Sequence, residues 1–430
     1  MESRLEAMRE YARGALWVLP GVSVVLALAL GSVLSRVDVP AHSALHRLVF
    51  QGTSDDARTL LVGIAGTMIT VIALMLGLTV VALQLSSTQY SPRLLRNFLR
   101  DRPNQLVLSA FVATFAYSTA GLYTVGVSGG NRTENFPRLA VSGAILLLFL
   151  SLFALVFEVH HVAHSMQVDE IMRRVENGTQ QVIRDVPAAP CEGPPPTVPA
   201  SAVPVRAARS GYVQTIHPEA LVEAAGRLDV NVAIAYRVGE HVVSGTPLAW
   251  AWRSDSAPVD VHHLVETAQH AVRLGFERTL EQDAAFGIRQ LVDIASKALS
   301  PAVNDPYTAV QAIDHVAVIM ASIARREHGT AVRSTAAATT VTIPAHSFED
   351  YLDLSCAQIR RFGAKEPTVA HELIGLLSST AHATDLPARH AAIGRQLDLL
   401  VDDAEREVAQ RADLVAVRAD AAALRAWLTG

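Results

Sequence analysis

Charge is what this 430-residue sequence has least of: only 18% of its positions are Asp, Glu, Lys or Arg, against about 25% in ordinary soluble domains. The deficit is local. Uncharged runs cover Gly14–Ser35, Thr59–Pro92, Pro103–Asn131 and Leu139–Phe157, all within the first 157 residues. A chain that is 50% hydrophobic, with mean hydropathy +0.27, is not a simple water-soluble globule. Lysine is nearly missing: Lys297 and Lys365 are the only two, and the net charge is −5. No basic arm remains to bind nucleic acid. Cys191 and Cys356 are the only cysteines, which excludes a disulfide framework and the clustered thiolates of a zinc site. Catalytic signatures are missing as well. His371 and Glu372 begin a zincin-like pattern, but its second histidine would fall at Gly375. There is no phosphate loop ending in Gly-Lys, no dinucleotide turn and no nucleophile elbow. The expectation is a protein that is not an enzyme and holds no cofactor.

What is present is lipid-compatible length. About 20 apolar residues cross a hydrocarbon core some 30 Å thick, and the runs predict four spans: 15–35, 60–85, 105–127 and 139–157. Arginine bias orients them. Arg4, Arg9, Arg13, Arg93, Arg96, Arg100, Arg102, Arg173 and Arg174 lie on one side and only Arg36, Arg47, Arg58, Arg132 and Arg138 on the other, so the positive-inside rule predicts cytoplasmic termini. The predicted fold class is a four-helix transmembrane domain (1–165), then a cytoplasmic α+β region. That region comprises a helical extension and proline-rich linker (166–204), a small β-rich subdomain (205–257) and a mostly helical part (258–430). Seven prolines between Pro187 and Pro204 mark the linker.

Within the second span Gly66, Thr70, Ala73, Gly77 and Gln84 draw a small and polar stripe at helical spacing, readable either as a helix-packing surface or as a pore lining. Thr114, Tyr117, Ser118 and Gly121 share a face of the third span. No charged residue falls inside any predicted span, which disfavours a proton-coupled pump. Between spans two and three, Arg93, Arg96, Arg100 and Arg102 interleave with Leu95, Phe98 and Leu99, the pattern of a short interfacial helix whose guanidinium groups meet lipid headgroups. His160 and His164, one turn apart after the fourth span, have a metal-ligand spacing but no third ligand, so no metal is expected.

In the second half, Arg209–Ile216 and Val230–Tyr236 read as strands around a helix starting at Pro218. Val238–Leu248 carries turn glycines Gly239 and Gly245. This last segment resembles the hairpin of biotinyl- or lipoyl-type barrels, but it has no lysine to carry either group. From Val259 the chain is mostly helical, with a strand at 339–343. The Ser300–Pro306 turn breaks two helices, Asp305 serving as N-cap and Pro306 as first helical residue of the second. Asp283, Arg289, Gln290, Asp293, Asn304 and Asp305 form the candidate ligand or subunit contact, with Arg289 and Asp293 spaced to pair.

The segments Ser91–Arg102, Gln282–Gly287, Arg289–Asp293 and Ser300–Thr308 together resemble a family of predicted bacterial integral membrane proteins of unknown function, over nearly the whole chain. The resemblance implies a bacterial inner-membrane location and this same plan of four spans plus a cytoplasmic domain. It names no reaction or ligand. The functional expectation is a homo-oligomeric channel or passive transport protein gated by its cytoplasmic domain, with membrane lipids as partners. The alternative is a membrane-anchored sensor or scaffold that binds a metabolite or protein partner through that domain.

Overall fold

The computed structural model describes residues 17–35, 49–89, 102–125, 137–165, 167–186, 197–255, 257, 259, 262–334 and 339–429. The chain forms two compact units, divided between Gln167 and Val168. Among the described residues there are 13 helices and eight strands.

The first unit is four apolar helices: α1 (Val18–Leu34), α2 (Ser54–Gln89), α3 (Arg102–Val125) and α4 (Arg138–Ser165). All four exceed or approach the length a bilayer needs. The 36 residues of α2 rise about 54 Å, beyond the ~30 Å of hydrocarbon, and the 17 of α1 rise about 26 Å. Their outward faces are greasy: Val25 and Leu26 of α1, Leu74 and Leu76 of α2, and Leu146 and Phe153 of α4 are all exposed. In water such a surface would drive aggregation; in lipid it is solvated. Tyr117 of α3 is the hub of the interior. Its ring lies beneath Gly31 of α1, its hydroxyl donates to the Ala140 carbonyl of α4 at 3.0 Å, and Gly143 gives it room that a Cβ would fill. Thr114 of α3 and Ser151 of α4 share a hydrogen bond of 2.8 Å, so the polar face expected of the third span turns largely toward α4. Gly121 of that set faces α2, at Leu61.

Helix α4 runs past the predicted end of its span and takes in Glu158, which is buried and accepts hydrogen bonds from the Asn104 amide of α3. The expectation that no charge lies inside a span is corrected here: the continuous helix carries one carboxylate into the bundle, where Asn104 partners it.

The second unit opens with α5 (Val168–Asp185), an amphipathic helix whose Met172, Val175, Thr179, Val182 and Ile183 recur on one buried face. It packs into the second unit, and residues 187–196 of the expected proline-rich linker lie outside the described residues. Thr179 fits against Gly287, and Glu176 pairs with His315 at 2.6 Å. Next come β1 (Val203–Arg206), β2 (Gly211–Ile216), α6 (Pro218–Leu228), β3 (Asn231–Ile234), β4 (His241–Val242), β5 (Pro247–Trp252), α7 (His262–Ala271) and β6 (Val272–Gly275). Helices α8 (Ala284–Ala298) and α9 (Pro306–Ala324) precede β7 (Ala331–Ser334) and β8 (Thr340–Ile343). Helices α10 (Phe348–Gly363), α11 (Pro367–Ala381), α12 (Pro387–Glu407) and α13 (Arg411–Thr429) end the unit.

The strands form two sheets, β1-β5-β3-β8-β7 and β4-β2-β6. All pairs are antiparallel except β3 with β8. Two sequence expectations change. The β-rich part does not close at residue 257, because β6, β7 and β8 supply strands from further along the chain. The supposed hairpin of Val238–Leu248 is no hairpin, because β4 pairs with β2 while β5 pairs with β1 and β3. Val205, Val213, Val232, Leu248, Leu264 and Val341 share one core, which no segment ending at 257 could complete.

Helix α9 is also long and apolar enough to cross a membrane, yet it is a core helix. Ile313, Val316, Ile319, Met320 and Ile323 are fully buried within the second unit, whereas a lipid-facing helix exposes such side chains.

Candidate functional site

Two arrangements carry functional potential, one in each unit. On α2 the face bearing Leu61, Ile64, Met68 and Met75 is buried in the bundle, while Gly66, Thr70, Ala73, Gly77 and Gln84 are all exposed. A Cβ built at Gly66 or Gly77 would have no atom within 4 Å. The small and polar stripe therefore does not serve packing within its own protomer. The Thr70 hydroxyl donates to the Gly66 carbonyl at 3.3 Å, which leaves a smooth, uncharged ridge.

The second arrangement is a cavity of about 340 Å³ in the second unit. The ends of α5 and α9, the start of α8 and the connection from β8 into α10 converge on it. Local capping chemistry positions its polar groups. Ser347 and Asp350 form a capping box, Ser347 N donating to Asp350 Oδ2 at 3.0 Å and Asp350 N to Ser347 Oγ at 3.1 Å. That start to α10 sets Tyr351 on the cavity wall. Asp350 Oδ2 also accepts from Arg237 Nη1 at 2.6 Å. Burial pushes the Asp350 carboxyl up, but the Ser347 amide and the Arg237 guanidinium outweigh it and hold the group below the usual carboxylate range.

Two histidines flank Tyr351, the His328 ring centroid at 5.5 Å and the His346 centroid at 5.4 Å. Burial lowers both imidazoles below their ordinary value. Arg389 and Arg326 reinforce the effect at His328 against the Ile323 carbonyl, and Arg237 reinforces it at His346. Both are neutral at neutral pH, and their contacts assign the tautomers. His328 Nε2 lies 2.8 Å from the Ile323 carbonyl and must donate, leaving Nδ1 as an acceptor. His346 Nδ1 lies 3.2 Å from Arg237 Nη1 and must accept, leaving Nε2–H as a donor.

Asp283 caps α8, its Oδ1 accepting from Phe286 N at 3.0 Å, and Arg278 grips both carboxylate oxygens at 2.9 and 3.0 Å. Burial pushes this carboxyl up, with Arg278 and the Phe286 amide pulling against it. Gly239, at φ 91°, passes so close that a Cβ would strike both Asp283 and Arg278, so this turn requires glycine for space as well as for dihedral.

Of the six residues singled out in this region, only Asp283 lines the cavity. Arg289 and Asp293 form an ion pair at 2.8 Å on α8, and Gln290 is buried. Asn304, left-handed at φ 50°, and Asp305, bonded to Thr308 N at 3.1 Å, sit in the turn after α8. The 15 residues of α8 separate that turn from Asp283 by roughly 22 Å, so the six do not converge on one site. Arg237, His328, His346 and Tyr351 escaped the sequence reading because they lie in separate loops and elements. The Ser347–Asp350 capping box was their one legible signal.

Arg93, Arg96 and Arg100 lie outside the described residues, and Arg102 is exposed at the start of α3. His160 is exposed on α4, while the side chain of His164 lies outside the described residues. Among the described residues no three His, Cys, Asp or Glu side chains cluster as a metal site.

Four lipid-exposed apolar helices and a separately cored α+β unit define a multi-pass integral membrane protein. Residues 13–379 match the family described as predicted membrane protein DUF2254, and the chain belongs to it. It is 42% identical to uncharacterized proteins of Mycobacterium bovis and Mycobacterium tuberculosis, over 98% of this chain and 82% of theirs. No solved structure matches the chain.

Proposed function

We propose that the protein is a homo-oligomeric passive conduit of a bacterial inner membrane, with α2 turned toward the assembly axis and the second unit in the cytoplasm as its gate. The observation that carries this reading is the open stripe of Gly66, Thr70, Ala73, Gly77 and Gln84 opposite a buried face of Leu61, Ile64 and Met68. Small residues facing lipid forgo dispersion contact that leucine would make, whereas small residues facing another helix permit close approach. A second copy regains that contact. The stripe bears no ionisable group, which suits passive passage and gives no foothold for proton coupling. The arginine excess flanking spans one, two and four supports the cytoplasmic placement of the termini.

The full-length chain reconstituted in sealed vesicles loaded with potassium chloride tests this. Expected outcomes are measurable K⁺ or Cl⁻ release, its reduction tenfold or more by Thr70→Phe or Gly77→Leu, and disulfide cross-linking between copies carrying Gly66→Cys. Vesicles that stay tight, together with copies that never cross-link, overturn the reading.

A further inference from the structure

Helix register within the second unit sets the Ser300–Pro306 turn at the end where the chain enters that unit. Glu176 of α5 meets His315 of α9 at 2.6 Å, Gln180 meets Ser322 at 3.4 Å, and the Arg184 and Val186 carbonyls meet Arg326 at 3.4 and 3.2 Å. The two helices therefore run in parallel and advance together, at about 1.5 Å per residue. Counting back equally from the first of these pairs leads to Val168, where α5 begins, and to Tyr307, beside the start of α9. Helix α8 runs the opposite way: Thr179 meets Gly287, and counting outward from that contact brings its last residue, Ala298, to the same level. The membrane helix α4 ends at Ser165, so three peptide steps of about 3.8 Å join it to Val168.

The turn at this end is rigid and apolar at its tip. Val303 N and Asn304 N donate to the Ser300 carbonyl at 3.1 and 2.8 Å, and Asp305 N donates to the Ala298 carbonyl at 2.9 Å. Asn304 takes the left-handed φ of 50° that commonly ends a helix. Asp305, the only acid or base between Ser300 and Thr308, accepts from Thr308 N at 3.1 Å. None of these bonds employs the side chain of Val303 or Tyr307, yet both project outward, 50% and 71% exposed. Water gives such side chains no burial, whereas the headgroup boundary of a bilayer does. Tyrosine, with an apolar ring and a hydroxyl that stays wet, is a residue favoured at that depth. A single turn cannot bury the roughly 1,000 Å² of a stable protein interface. A lipid surface to which the chain is already tethered needs only a few inserted side chains.

We propose that the Ser300–Tyr307 turn is a membrane-contact wedge, with Val303 and Tyr307 inserted at the headgroup boundary of the bilayer that α4 crosses. The wedge depends on α4 as a membrane helix and not on conduction.

The full-length chain in phosphatidylcholine nanodiscs tests this. In a Cys191→Ser background, whose Cys356 is buried, the environment-sensitive fluorophore NBD is attached at Val303→Cys, Tyr307→Cys or Leu386→Cys. Leu386, also 50% exposed, is the control at the other end of α9. Its carbonyl accepts from Arg389 N at 2.9 Å while the Arg389 guanidinium donates to the Ala324 carbonyl at 2.6 Å. The 19 residues of α9 rise about 28 Å. Expected are blue-shifted emission at 303 and 307, and several-fold stronger quenching there than at 386 by lipid carrying a headgroup nitroxide. Val303→Asp, a change at an exposed position, is expected to bring quenching at 307 down toward that at 386 while Tm holds. Two labelled sites keep the test alive if one variant misfolds. Equal quenching at all three sites, blue-shifted emission without lipid quenching, as a turn covered by protein would give, or quenching at 307 that Val303→Asp leaves unchanged overturns the proposal.

Discussion

At the scale of single residues, the second unit depends on positions where one atom more would not fit. Gly287 of α8 is the sharpest case, since a Cβ there would occupy the place of the Thr179 side chain on α5, whose hydroxyl is already bound to the Val175 carbonyl at 2.7 Å. Gly287→Ala is therefore expected to destabilise the unit by about 1 to 3 kcal/mol, as overpacking in a closed core does. Combining it with Thr179→Ala, which vacates the contested volume, should recover most of that loss. Urea unfolding of the four proteins of this double-mutant cycle measures the coupling, and strictly additive effects would show that the two side chains do not compete.

Between elements, α9 and α11 meet through a pair of acids. Glu372 hydrogen-bonds to Asp314, and burial together with that neighbour pushes its carboxyl up to about 7 from an ordinary value near 4.5. An acid with a raised folded pKa holds its proton in the native state after the unfolded chain has released it. The contribution to stability is complete below about 4.5 and is lost as pH rises through about 7. Thermal unfolding of the full chain between pH 4.5 and 8 should show this falling component, and Glu372→Gln, which keeps the hydrogen bond without the titration, should flatten it. An unaltered pH profile in that variant would rule the pair out as its source. Beside it, His371 contacts Asp420 of α13 at 2.6 Å, so the residues that begin a zincin-like motif serve helix packing.

For the whole molecule, the boundary between the units decides what can fold alone. The unit starts at Val168, and α5 contributes Met172, Val175, Val182 and Ile183 to its core. At about 1.5 kcal/mol or more per large buried side chain, that face contributes about 6 kcal/mol, similar to the ~5–15 kcal/mol that holds a domain together. A fragment of residues 168–430 is expected to be soluble and to unfold cooperatively, whereas one beginning at Val205 aggregates or unfolds without a sharp transition. Circular dichroism melts of the two fragments test this, and equal cooperativity would remove α5 from the unit.

Much of this architecture is written in short-range chemistry. Uncharged runs such as Thr59–Pro92 name their helices because hydrocarbon tolerates nothing else of that length. Asp305 and Pro306 start α9 because capping is a contact between residues three apart. The Arg289–Asp293 pair follows from one helical turn. The sequence by itself thus determined that the chain crosses a membrane and roughly where it does so. Tertiary structure alone decided which faces are left open and which distant groups meet. The stripe on α2 was visible as a pattern, but its exposure depends on Leu61 and Met68 turning inward against other helices. Arg237 and Asp350 are 113 residues apart, and no local rule brings them together. Tertiary packing does, setting Val232 of β3 and Val341 of β8 in one core while the short connection from β8 into α10 carries His346 and Tyr351 to the cavity that His328 also lines.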